Sequence, residues 1–151
     1  MENDLFNIRV YGILINGQNE VLLTDEFRFG IKMTKFPGGG LDYGEGTIDC
    51  LKRECFEEFE EEIDVTGHFY TTDFFQKSAF DDKQIISIYY RISILDFNKL
   101  KVKQNKFEFE KEQEGSQVFR WIKIDDNLKY ELTFPIDKIV AGMLADQFSA
   151  K

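Results

Sequence analysis

Cysteine, proline, tryptophan and histidine are all scarce here: 151 residues hold two Cys, two Pro, one Trp and one His. Cys50 and Cys55 are five apart on one expected helix and point in different directions, so no disulfide is expected and two thiols alone make no zinc site. Neither has a neighbouring histidine to activate it, and both read as packing residues. The single His68 reads as a solvent-facing side chain and Trp121 as a core indole. No apolar run approaches 20 residues, and neither a basic-then-apolar leader nor a lipidation motif is present; the expectation is a soluble, cytoplasmic protein with no membrane contact. Positive charge is also short. The formal net charge of −9 argues against coating a nucleic acid, because such binding needs clustered Lys and Arg.

What the chain does have is apolar and aromatic material, 42% hydrophobic and 15% aromatic, enough for one core over a single domain, 1–151. Ile8–Ile15 reads as a strand, Asn16–Asn19 as a turn and Glu20–Thr24 as the returning strand of a hairpin. Residues 65–76 and 84–95 read as a second hairpin around Asp81, Asp82 and Lys83, 96–116 as an excursion ending in a loop, and Val118–Ile124 as a last strand. Pro135 to Phe148 has helical spacing with proline at a first turn. Strands in hairpins with helices on both faces of one mixed sheet give an α/β/α sandwich of the α+β class.

The most informative stretch is Phe36–Glu58, FPGGGLDYGEGTIDCLKRECFEE, a glycine-rich loop running into a helix crowded with carboxylates. With Thr47 as N-cap and Asp49 in the first turn, Glu54, Glu57, Glu58 and Glu61 share about 100° of the helix surface. Their i,i+4 pairs cost about 0.2–0.5 kcal/mol each, and the C-terminal end of the dipole disfavours them further. A bound cation reverses both penalties. Ile48, Leu51, Cys55 and Phe59 form the opposite, apolar stripe. Gly38, Gly39, Gly40, Gly44 and Gly46 permit close approach of backbone to a ligand.

Gly39, five residues, Glu45, seven residues, then Arg53-Glu54-x-x-Glu57-Glu58 resembles the signature of the Nudix hydrolases. The resemblance implies an α/β/α sandwich around a mixed sheet and metal-dependent hydrolysis of a nucleoside diphosphate linked to another moiety. Mg2+ or Mn2+ would be held by Glu54, Glu57, Glu58 and the Gly39 carbonyl. Arg53 would pair with Glu45 to keep loop and helix in register. Glu54 or Glu57 would serve as general base, with Glu112 or Glu114 as a further acid, Glu114 preferred. Nucleoside diphosphate sugars such as ADP-ribose come first as substrate, with nucleoside triphosphates and dinucleoside polyphosphates as other members of the class. A homodimer is the expected assembly.

The pattern departs from the family after Glu58, where Glu60 and Glu61 replace a glycine and an aliphatic residue. The glycine position calls for a left-handed backbone, so the helix end is expected to be reshaped or lengthened. Arg28, Lys32 and Lys35 are candidate phosphate contacts, or a solvated basic strand. Phe27, Phe29, Phe74, Phe75 and Phe80 are stacking candidates, although aromatics in strands more often pack in a core. The competing functions are a Nudix-fold sensor that binds a nucleotide sugar without cleaving it and an isoprenoid diphosphate isomerase. The intact Arg-Glu-x-x-Glu-Glu run and the lack of an appendage after Lys151 speak against the first, and the placement of Cys50 and Cys55 against the second.

Overall fold

Residues 5–149 are described by a computed structural model; the ends of the expected 1–151 domain lie outside them. In chain order the elements are β1 (Phe6–Leu14), β2 (Glu20–Arg28), β3 (Ile31–Lys35), β4 (Gly38–Gly40), α1 (Thr47–Phe59), β5 (Asp64–Thr71), β6 (Gln84–Ser93), β7 (Gln117–Lys123) and α2 (Pro135–Ser149), with 3₁₀ turns at Phe97–Lys99 and Leu128–Glu131. The chain divides into two compact units, one made of the segment up to Ile13 with Gly38–Leu95, the other of Leu14–Pro37 with the chain from Asp96 onward. No helix among the described residues is long and apolar enough to cross a membrane.

The first unit holds a sheet of order β4-β1-β6-β5 and the helix α1. Strand β1 is buried without interruption from Val10 to Leu14, the signature of a strand covered on both faces. Its pairing corrects one expectation. The Asn16–Asn19 turn forms as expected, with the Asn16 side chain accepting from the Gln18 and Glu20 amides and Asn19 at φ 59°. Beyond one Ile15–Val21 bridge, however, β1 and β2 do not form a hairpin, and they join different sheets. Each finds its hydrogen-bonded neighbours elsewhere, β1 between β4 and β6 and β2 between β3 and β7.

The β5–β6 hairpin is real and antiparallel, with bulges between Val65 and Gly67 and between His68 and Tyr70. Its strands end at Thr71 and Ser93, earlier than expected, because the segment after Thr71 turns outward. Phe74, Phe75 and Phe80 are exposed there rather than in a core. His68 is exposed, as expected, with its imidazole bonded to the Thr71 hydroxyl.

The second unit holds a sheet of order β3-β2-β7 and the helix α2, which runs from Pro135 as the spacing predicts. The β2–β3 hairpin, not foreseen in the sequence, turns on Phe29 and Gly30, both at positive φ (54° and 73°), the geometry of a two-residue primed turn. Asp25, fully buried, takes Arg120 Nε at 2.6 Å, Arg120 Nη2 at 3.2 Å, the Thr34 hydroxyl at 2.6 Å and the Phe107 amide at 3.1 Å. One carboxylate thereby ties three strands to the 96–116 excursion. Trp121 is only half buried, edged by Phe97 at 5.8 Å, because it lies on a sheet face that the excursion covers in part.

Candidate active site

Helix α1 begins one residue earlier than its side chains suggested. Gly46 is the N-cap and makes no side-chain cap, while the Thr47 hydroxyl goes to Tyr90 Oη at 2.6 Å. Cys50, Leu51 and Cys55 bury one face of the helix, whereas Ile48 is exposed and drops out of the expected stripe. The helix ends at Phe59, so Glu61 lies beyond it and is not a fourth member of the acidic face. Glu60 caps the end in the left-handed region, φ 57° and ψ 28°, with its amide on the Phe56 carbonyl at 2.9 Å. The helix is neither lengthened nor reshaped; a glutamate accepts the conformation that glycine adopts more cheaply.

Arg53 organises the site. Its Nε and Nη2 meet the two oxygens of Glu45 at 3.0 and 2.7 Å, a bidentate pair. Nη2 also donates to the Gly40 carbonyl at 3.2 Å and lies 3.4 Å from Asp42. Nη1 reaches Glu57 at 3.0 Å and Glu54 at 3.4 Å. The guanidinium beside it, helped by the Asp42 amide, holds the Glu45 carboxyl down at about 2, and Glu45 in turn raises Arg53. Burial, followed by the neighbouring Glu45, pushes the Cys50 thiol up to about 12, and burial raises Cys55 well above the ordinary thiol range, so both are packing groups and not nucleophiles.

The glycine strand is shaped for the carboxylates. Gly38 and Gly39 pair with Tyr11 and Val10 of β1, and Gly38 sits at φ 143°, open only to glycine. A Cβ on Gly39 would come within 2.6 Å of Glu54 Oε2, so only a residue without a side chain leaves room for that carboxylate. The Gly38 amide donates to Glu58 at 3.0 Å. Glu54 and Glu58 are thus drawn onto the backbone of β4 from successive turns of α1.

The donor set is all oxygen, which suits a hard divalent cation such as Mg2+ or Mn2+. Among the described residues no three His, Cys, Asp or Glu side chains are gathered into a metal-holding group, and Nη1 of Arg53 stands between Glu54 and Glu57. The chemistry of the residues fits such an ion.

The remaining candidates belong to the second unit. Glu114 is tied by its carboxylate to the backbone amides of Phe29 and Gly30, which holds its loop against the β2–β3 turn. Glu112 pairs with Lys32 at 2.7 Å. Lys35 is buried against Glu26 at 3.4 Å, and so is no solvated strand residue, whereas Arg28 is exposed. Phe29 is exposed at the turn and Phe27 half buried beside it. Sequence reasoning missed Asp42, whose amide and carboxylate both serve the Glu45–Arg53 pair; its signal was an acid three residues ahead of Glu45 in the glycine loop. It also missed Glu26, an acid inside an apolar strand.

The sequence profile of the NUDIX domain matches residues 5–143. No curated protein matches the chain. Among solved structures, a NUDIX hydrolase from Nitrosomonas europaea is similar at TM-score 0.67 and 16% identity over 95% of this chain and 88% of its own. The MutT protein from Methanosarcina mazei Go1 is similar at 0.68 and 16% over the whole of both chains. A structure in a study of MutT from Aliivibrio salmonicida and Vibrio cholerae is similar at 0.58 and 23% over 95% and 99%. The α+β fold expected from the sequence is the fold of these neighbours. With the profile spanning nearly all of its length, the chain belongs to the Nudix hydrolases, a family of pyrophosphohydrolases.

Proposed function

We propose that this pyrophosphohydrolase cleaves a nucleoside diphosphate linked to another moiety, a nucleoside diphosphate sugar first among that class, with Mg2+ or Mn2+. One observation carries the reading: Arg53 locks Glu45 and the Gly40 carbonyl with one edge of its guanidinium while the other edge meets Glu54 and Glu57. Glu54, Glu57, Glu58 and the Gly39 carbonyl would hold the ion, which when bound supplies the positive charge that lets an acidic surface accept a diphosphate. Glu57, the more exposed of the two candidates, is the proposed base that takes a proton from the attacking water, and Glu54 is its alternate. Arg53 and Glu45 act by position. Arg28 and Lys35 stay as proposed phosphate contacts, with the buried Glu26 pair requiring Lys35 to exchange partners. Glu114 stays as a proposed further acid whose present role is to hold its loop. The proposed setting is the cytoplasm, and the proposed assembly, following the family resemblance, is a homodimer; sedimentation measures the assembly.

The test is a panel of nucleoside diphosphate derivatives with magnesium or manganese, following phosphate or monophosphate release, beside Glu57→Gln and Glu58→Gln. Turnover that disappears on chelation and falls in both variants is the expected result. Tight binding without turnover would replace the hydrolase with a nucleotide-sugar sensor.

A further inference from the structure

Helix α1 is attached to the sheet of its unit at two separate strands. From Cys50 onward the attachment is to β4: the Gly40 carbonyl accepts from Cys50 Sγ at 3.4 Å and from Arg53 Nη2 at 3.2 Å, and the Gly38 amide donates to Glu58 at 3.0 Å. At the helix start the attachment is to β6, where Tyr90 Oη and the Thr47 hydroxyl stand 2.6 Å apart. Strand β1 lies between these two strands. Strands about 4.8 Å apart put the two anchors about 10 Å from one another, and the helix rises about 10 Å from Thr47 to Glu54. Together the anchors fix the direction in which α1 runs over the sheet, and with it where Glu54, Glu57 and Glu58 stand.

The other restraints on the helix do not set that direction. Its buried face, Cys50, Leu51 and Cys55, holds it down by apolar contact, which is non-directional. The Glu45–Arg53 pair ties the loop to the helix, so that loop and helix move together. At the helix start Gly46 supplies no side-chain cap, and the Thr47 hydroxyl is spent on β6 and not on a helix amide. Tyr90 is itself steadied by its cross-strand partner His68, whose ring meets it edge-on at 5.8 Å and 82°.

We propose that Tyr90 is a positioning residue: through Thr47 its hydroxyl holds the start of α1 on β6 and so sets the carboxylates of Glu54, Glu57 and Glu58 for the ion. This rests on the reading that those three residues hold Mg2+ or Mn2+ for hydrolysis. Tyr90 acts through Thr47 and the helix, not by contact with substrate.

The experiment is a Mn2+ titration of substrate-free protein, read by electron paramagnetic resonance of the free ion, beside kcat and KM at saturating Mn2+ for a panel member that wild type cleaves. Tyr90→Phe removes one oxygen and keeps the ring against His68, so the fold is expected to hold; Thr47→Val removes the partner hydroxyl. In each, Mn2+ is expected to bind about 10-fold more weakly and kcat to fall about 10-fold, with KM changed by less than about twofold. The double variant should be no worse than either single one, because both break the same bond. Thr47→Ser, which keeps a hydroxyl, should recover most of the loss. A folded Tyr90→Phe with wild-type Mn2+ affinity and kcat overturns the proposal, even if its unfolding temperature is lowered, as do losses that multiply in the double variant. Wild-type protein that binds Mn2+ but cleaves no panel member removes the hydrolase alone, and the Mn2+ affinities of the variants then decide the positioning role. Wild-type protein that binds no Mn2+ removes the ion site and the proposal with it.

Discussion

Arg53 and Glu45 are joined by two hydrogen bonds, Nε to Oε2 at 3.0 Å and Nη2 to Oε1 at 2.7 Å, from the middle of α1 to the loop that precedes it. The pair closes the glycine loop on the helix, and the Asp42 amide completes it at 2.9 Å. Breaking it with Glu45→Gln should loosen the loop, and acid should reproduce the effect. Glu45 has its carboxyl lowered from 4.5 to about 2, so its contribution to stability is fully present above about pH 4.5 and is lost as pH falls toward 2. Thermal unfolding of wild type should drop across that window more steeply than that of Glu45→Gln. Parallel curves for the two proteins would remove the linkage.

Gly39→Ala separates activity from stability. The added methyl would collide with the Glu54 carboxylate, which is the end of a flexible side chain and can move aside. Stability should change little while kcat falls by about 100-fold, the scale of a misplaced reacting group. An unaltered kcat would show that Glu54 does not need its place against β4.

Glu60→Gly should stabilise the protein by about 1 kcal/mol, because the position is left-handed and glycine alone adopts it without a Cβ clash. Some of that gain is returned to the entropy of the unfolded chain. Urea unfolding measures it, and a lowered midpoint would mean that the Glu60 side chain contributes more than its backbone costs.

Asp25→Asn and Arg120→Met each break a buried ion pair, and each should cost about 3–5 kcal/mol in denaturant unfolding, less for Asp25→Asn because Arg120 keeps Glu131 at 2.9 Å. Because Asp25 also holds the Phe107 amide, proteolysis within 103–116 should accelerate in Asp25→Asn. A variant as stable as wild type would show that the pair is replaceable by local rearrangement.

The site was more legible than the strand pairing. Spacing on one helix predicts which carboxylates share a face, since 3.6 residues per turn is a local rule, and Glu54, Glu57 and Glu58 obey it. Glu61 escaped the rule because Glu60 ends the helix at a conformation usually left to glycine. The turn at Asn16–Asn19 was likewise readable, being built from its own side chain–backbone bonds. Whether β1 and β2 then pair is a long-range choice, decided by which strands hydrogen-bond along their edges.

By itself the sequence determined the two helices, the Asn16–Asn19 turn and the chemical identity of the acidic helix, because helical period, turn residues and the Gly39–Glu45–Arg53 spacing act over short separations. Tertiary structure alone decided that Lys35 would be buried on Glu26, that Glu114 would be spent on the backbone of Phe29 and Gly30, and that Arg9 would lie against Gly40. The last two of those pairings join residues well apart in the chain, and the first needs the register of the β2–β3 hairpin. They depend on strand register and packing, which no local pattern encodes.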